Sequence, residues 1–442
     1  MSPQHLLAFV LLLSGGAGLM YEVAWTQQFA AVLGSAAESM ASVFAVFLIC
    51  LAAGAWLFGH AERLLKRPLL AYALMEIGIG IFGALSIHLL VTHEVALLAW
   101  LPRPDAALAR VGVQVLVVFV FIGPAAILMG GTLPVVMEGA SRWGLPSRTI
   151  TMLYGLNTVG AACGALLPGL TLIPGLGLSG TAMVAMTINL MVGVLALVIR
   201  AWDRRMVPPV AHPAAERHLH VPSEPTNLSG AWIAGLAAYS GFSVLSVELC
   251  WARLGGVVLG NRALATSALL CGALLCLGIG SLLLRPMMRW AHTRFDLDPD
   301  RFLLGALLFG AVAQLVFGAA AAGLAMDPPR SSTLALGSYL AVMVLPFLAA
   351  GVVFPWVLAH HPEVDANTGL SVGVVYGVSV AGSTLGSLAT PFAGYETIGV
   401  MGTLGFNAAL TLGVALLLAR RLGVGLKVPA AVVVVFGLFT LI

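Results

Sequence analysis

The sequence predicts an all-α polytopic membrane protein: two parallel six-helix repeats followed by a short C-terminal apolar helix. Composition, the number of long apolar runs and an internal repeat carry that prediction. Of 442 residues, 60% are hydrophobic and only 9% charged, with a mean hydropathy of +1.02. A soluble domain has about 25% charged residues, so this composition cannot clothe a water-facing surface. Disorder, a collagen-like fibre and a disulfide scaffold are excluded on the same grounds. A net charge of +3 without a basic cluster gives no reason to expect nucleic-acid binding.

A transmembrane helix needs roughly 20 mostly apolar residues to cross about 30 Å of hydrocarbon. Such runs predict spans at 5–33, 39–59, 68–92, 109–136, 149–172 and 180–200. A second set follows at 230–259, 263–285, 302–325, 334–358, 368–394 and 400–419. The run 428–442 is short enough to be a thin thirteenth span or an interfacial segment. The apolar run from Leu6 lacks a preceding Lys or Arg and a small-residue cleavage site, so an uncleaved first helix is expected.

With the N-terminus in the cytoplasm, 16 of the 21 Lys and Arg residues fall in inside loops, among them Arg63, Lys66, Arg67, Arg204 and Arg205. The expected location is a bacterial inner membrane, N-terminus inside. Domains are expected at 1–200 (first repeat), 201–229 (cytoplasmic linker), 230–421 (second repeat) and 422–442 (C-terminal apolar segment). The linker holds Pro208, Pro209, Pro213, Pro222 and Pro225 and reads as solvated chain, its three histidines included. Seven of the nine tryptophans lie near span ends, as an aromatic belt requires.

The repeat is visible in segments that each align without a gap. SGGAGLMYEVAWTQQFAAVLG at 14–34 aligns with SGFSVLSVELCWARLGGVVLG at 240–260, an offset of 226 residues. LYGLNTVGAACGALLPG at 153–169 aligns with VYGVSVAGSTLGSLATP at 375–391, an offset of 222. Gly130 and Pro134 have counterparts in Gly351 and Pro355. Each half holds an even number of spans, so both copies keep one orientation. Parallel six-helix repeats joined by a cytoplasmic linker are the plan of the major facilitator fold.

At these motifs, together with PAAILMGGTLP at 124–134 and the continuation LTLIPGLG to 177, the chain resembles the membrane domain of bacterial spermidine synthase-like proteins. Those are described as major-facilitator-like fusions, and the resemblance covers nearly the whole chain. Fusion members carry a soluble aminopropyltransferase-like domain after the helices. Here no polar segment exceeds the linker, too short for a domain of 50 or more residues. The resemblance therefore implies the stand-alone form. Its stand-alone relatives include synerkin-type proteins, which act beside rhombosortases, rhomboid-like intramembrane proteases.

Of 18 acidic residues, only Glu22, Glu76 and Glu248 sit well inside apolar runs, where a carboxylate costs a few kcal/mol. Glu22 and Glu248 occupy one repeat position, and each has a tryptophan three residues on, Trp25 and Trp251. Arg253, opposite Gln27 in the repeat, is the one basic residue expected inside a span. One reading is a polar site for proton coupling or for a cationic ligand held by Glu and Trp. The other is that each Glu bonds neighbouring helices and holds the repeat together. Glu76 has no acidic counterpart and is the better candidate for a specific role.

Tyr154, Asn157 and Tyr376 complete the expected polar core, with Asn157 opposite Ser379 in the repeat. Gly160 and Gly164, with Gly382 and Gly386, have small-xxx-small spacing for close helix packing. Pro124, Pro134, Pro346 and Pro355 imply helix kinks. GLGLSG at 175–180 has no strand before it and is not a nucleotide loop. The five cysteines lie in apolar runs, and neither metal-ligand spacing nor a cofactor motif occurs.

With no nucleophile–base pair or paired catalytic carboxylates, the expectation is a non-enzyme. Besides the lipid bilayer, a membrane-protein partner is expected: the chain would bind a rhombosortase-type protease or its substrate helices. The alternative is a secondary transporter of a cationic or neutral small-molecule substrate such as a polyamine, proton-coupled through intramembrane Glu.

Overall fold

The computed structural model describes residues 3–34, 36–61, 67–102, 104, 106–142, 147–206, 226, 228–360 and 368–424. Most of the 201–229 linker, the 428–442 run and the Tyr154 side chain lie outside the described residues. Apolar runs without helix breakers fold as helices because lipid leaves backbone groups no other partner.

The elements are α1 (Pro3–Leu33), α2 (Ala36–Ala61), α3 (Pro68–Thr92), α4 (Glu94–Trp100), α5 (Ala107–Arg142), α6 (Ser147–Leu167) and α7 (Ile173–Met206). The remainder are α8 (Gly230–Val258), α9 (Arg262–Phe295), α10 (Pro299–Met326), α11 (Ser332–Ala359), α12 (Thr368–Ala389) and α13 (Tyr395–Arg421).

Among the described residues, ten stretches are long and apolar enough to cross a membrane. Two of them, Gly155–Ala201 and Val375–Arg421, have 47 residues each. As straight helices these would reach about 70 Å, more than twice the hydrocarbon thickness. Each is broken by a glycine with positive φ, Gly177 (φ 70°) and Gly399 (φ 69°). Each break follows a π-helical turn, Pro168–Leu172 or Thr390–Gly394. Split at these glycines, the runs supply the fifth and sixth passes of each repeat. The chain is a multi-pass membrane protein.

Two compact units emerge: Met1–Leu219 with Thr266–Cys271, and His220–Ala265 with Gly272–Ile442. In the first, α1 packs against α6 through glycine. A Cβ on Gly160 would overlap the Leu12 carbonyl, and one on Gly164 the Gly16 backbone. In the second, Gly382 and Gly386 meet Ala238 and Phe242 of α8 in the same way. Gly54 and Gly130 bring α2 against α5, as Gly280 and Gly351 bring α9 against α11. All four predicted packing glycines thus face helices of their own unit.

Two elements depart from expectation. Helix α4 was not predicted; it follows α3 by a single turn residue, held by Gln28 of α1, which donates to Leu90 O and Glu94 Oε2 (3.2 and 3.1 Å). Helix α9 continues through Pro286 to Phe295. Loss of one backbone donor there does not end it, and Asp296, in the left-handed region (φ 52°), does.

Candidate functional site

In the first unit a ladder of side-chain hydrogen bonds joins α1 to α3. Ser14 Oγ donates to Glu76 Oε1 (2.6 Å), and Tyr21 Oη to Gly80 O (3.1 Å). Trp25 Nε1 donates to Ser86 Oγ (2.8 Å), and Gln28 completes the series. Both sets of positions climb together, so the two helices run parallel. Tyr21 and Trp25 stack with ring centroids 5.5 Å apart, and Phe47 lies 6.3 Å from Trp25.

Glu76 is fully buried (0% exposed). Its second oxygen accepts from Asn189 Nδ2 of α7 at 2.7 Å, so one carboxyl group ties three helices. The Tyr72 hydroxyl, one turn earlier on α3, stands close to the same carboxyl without hydrogen-bond geometry. Among the described residues no cation pairs with Glu76; its bonded partners are a hydroxyl and an amide. Glu22 is buried and partnered, and Trp25 gives its indole N–H to Ser86 rather than to this carboxyl.

The second unit holds Glu248 and Trp251 in the matching places with different partners. The Glu248 carboxyl is buried, with no hydrogen bond or ion pair among the described residues. Trp251 is fully buried, packs on Tyr339 (6.1 Å) and Phe347 (6.5 Å), and its indole N–H has no partner among the described residues. Tyr339 instead donates to the Trp251 carbonyl (2.9 Å). A separate cluster links Ser246 to Thr390 (2.5 Å) and Asn407 (2.7 Å).

Arg253 is exposed, its guanidinium 6.0 Å from the Tyr395 ring centroid. Tyr376 is 40% exposed, away from the polar core expected for it. Asn157 packs its backbone against Gly15 of α1. Among the described residues no His/Cys/Asp/Glu group could hold a metal ion.

Sequence reasoning missed Asn189, Tyr72, Ser86 and Ser246. Asn189 interrupts the apolar run of α7 and could have been singled out; the serines carry no such signal. The unequal tryptophans offer a test. Trp25→Phe is expected to lower the unfolding midpoint in mild detergent more than Trp251→Phe. The difference is one interhelical hydrogen bond, about 0.6 kcal/mol and at most about 1.7. Equal losses would remove the Trp25–Ser86 bond from the account.

No protein-family model matches the chain. Its solved structural relatives include the nucleoside transporter NupG, with a TM-score of 0.60 at 12% identity over 95% of this chain and 99% of that one. An auto-inhibited POT family peptide transporter gives 0.57 at 13% identity, over 95% and 97%. The POT family transporter PepTSo gives 0.56 at 14%, with the same coverage. The fold is of the major-facilitator type.

A match of another kind is to Polyamine aminopropyltransferase 1 of Streptomyces coelicolor, 27% identical over 197 residues, 44% of this chain and 34% of the relative. The chain thus spans about a third of the length of the curated relative it matches. This corrects the expectation of a non-enzyme: the residues matched belong to a protein named as an aminopropyltransferase.

Proposed function

We propose that the chain is a secondary transporter of a small cationic or neutral solute, with polyamines as the first candidates, proton-coupled through its intramembrane glutamates. The observation carrying this is Glu76: a fully buried carboxyl in a membrane-spanning helix, held, among the described residues, by neutral partners alone. An ionisable group at such depth is costly and marks an ion or substrate path by default. A carboxyl held this way is neutralised by taking up a proton or by meeting a cation, and the two can compete. Glu248, buried without a bonded partner among the described residues, is a second such group.

The structural likenesses support transport over the partner-protein expectation, and the aminopropyltransferase match supports polyamines as the first solutes to try. The membrane we assign is a bacterial inner membrane with the N-terminus inside, by the distribution of Lys and Arg.

The test is flux into proteoliposomes containing the purified chain, with a pH gradient imposed in either direction. Labelled spermidine should accumulate above protein-free vesicles, and a protonophore should abolish the excess. Absence of gradient-dependent movement of spermidine, putrescine and a neutral nucleoside, at both polarities, would overturn transport.

A further inference from the structure

Helix α9 is longer than one membrane passage requires. Between Arg262 and Arg285, residues 263–284 carry no charge and rise about 33 Å. That already matches the roughly 30 Å of hydrocarbon. The helix nevertheless continues to Phe295, so residues 285–295 carry it about 16 Å past the apolar run.

This arm holds three arginines, Arg285, Arg289 and Arg294, and no Asp or Glu. All three are exposed, and none has an ion pair among the described residues. The acidic residues that follow do not offset the first two. Asp298 pairs with Arg301 (3.4 Å), and the buried Asp300 accepts from Thr226 Oγ1 (2.6 Å). Asp296 lies about 10 Å along the chain axis from Arg289. Arg294 and His292 sit in the last turn, where the helix dipole favours positive charge. Arg285 and Arg289 lie earlier, where that effect has faded, and need another reason.

The faces of the arm supply one. Leu284 and Ala291, each 4% exposed, hold it to its own unit. Arg285 and Arg289, four residues apart, share one exposed flank. The other exposed flank is apolar, with Leu283, Met287 and Trp290, and it prolongs the exposed stripe of Leu275 and Ile279. Water is a poor solvent for such a flank. The headgroup layer of a bilayer accepts both, tryptophan at its apolar edge and arginine at its phosphates.

The guanidinium fork matches a phosphate in geometry and charge. A zwitterionic lipid brings an ammonium beside its phosphate, which three unpaired arginines repel. A headgroup without that ammonium leaves the whole negative charge to them.

We propose that Arg285 and Arg289 bind the phosphate of an anionic phospholipid whose acyl chains lie along Leu283 and Ile279.

The test is native mass spectrometry of the purified full chain, titrated with dioleoylphosphatidylglycerol or dioleoylphosphatidylcholine. The wild type should retain phosphatidylglycerol at concentrations where phosphatidylcholine of the same chains is lost. Arg285→Gln with Arg289→Gln should raise the half-saturating phosphatidylglycerol concentration about tenfold or more, as expected for losing a hydrogen bond to a charged group. Arg420→Gln with Arg421→Gln removes equal charge from exposed positions at the end of α13 and should leave it unchanged. Neither pair has a side-chain partner among the described residues, so both variants should unfold at the wild-type midpoint in lipid-free detergent.

Equal retention of the two lipids by the wild type would overturn the proposal. So would phosphatidylglycerol affinity that is unchanged in the Arg285 and Arg289 variant, or lowered equally in both variants, which would mean attraction to net charge only. Displacement of the lipid by an equal concentration of glycerol 3-phosphate would overturn it too, by assigning the arginines to a soluble anion.

Discussion

Gly54→Ala should destabilise the protein by about 3 kcal/mol, the upper end of the usual overpacking cost. The added Cβ would sit inside the van der Waals radius of the Ile127 carbonyl oxygen, and Gly130 makes the reciprocal approach to Leu51. What it meets is backbone of a long helix, which cannot rotate aside as a side chain would, so α2 and α5 must separate. The checking measurement is the midpoint of thermal unfolding, with monodisperse yield on size exclusion. Gly278→Ala in α9 is the control: nothing lies within 4 Å of its new Cβ. Alanine should gain there up to the about 1 kcal/mol by which glycine weakens a helix interior. Equal behaviour of the two variants would show that α2 and α5 are not in backbone contact.

Replacing Glu76 should separate its two duties. Glu76→Gln keeps one oxygen to accept from Asn189 and offers an amide that Ser14 can accept from by turning its hydroxyl. The fold should hold while gradient-driven uptake falls to the protein-free background. Glu76→Leu should abolish uptake and also leave Ser14 and Asn189 unpaired, at about 1–3 kcal/mol for each group left buried without a partner. Uptake is read in proteoliposomes and stability by unfolding in detergent. A Gln variant that transports at the wild-type rate would reduce Glu76 to a structural tie.

Much of this architecture can be read from the sequence because lipid is a demanding solvent. Runs such as 68–92 and 230–259 must be helical, and their observed ends, Pro68–Thr92 and Gly230–Val258, agree within a residue. The glycines of the repeat announce close packing because nothing else lets backbones touch. Which helix receives a polar side chain is another matter. Glu76 is conspicuous in an apolar run, but its meeting with Asn189, 113 residues away, depends on packing that no periodicity encodes. The two tryptophans look equivalent in sequence and differ in structure, since only one finds a serine on the third helix of its unit. Tyr376 sits in a repeated motif yet is exposed, because its Tyr-Gly pair recurs without any requirement that both copies face inward.

The π-helical turns and their left-handed glycines also record ancestry. Pro168–Leu172 and Thr390–Gly394 occupy the same repeat position while reading PGLTL and TPFAG, and Gly177 and Gly399 follow at equal distance. Independent invention of both devices at one register is the less economical history, so the six-helix precursor already had this backbone path when its gene doubled. The cluster of Ser246, Thr390 and Asn407 has no such pedigree. Its counterparts are Met20, Pro168 and Ala185, none of which can form those bonds. The path of the chain is thus the feature both copies share, and the polar lock distinguishes the second copy from the first.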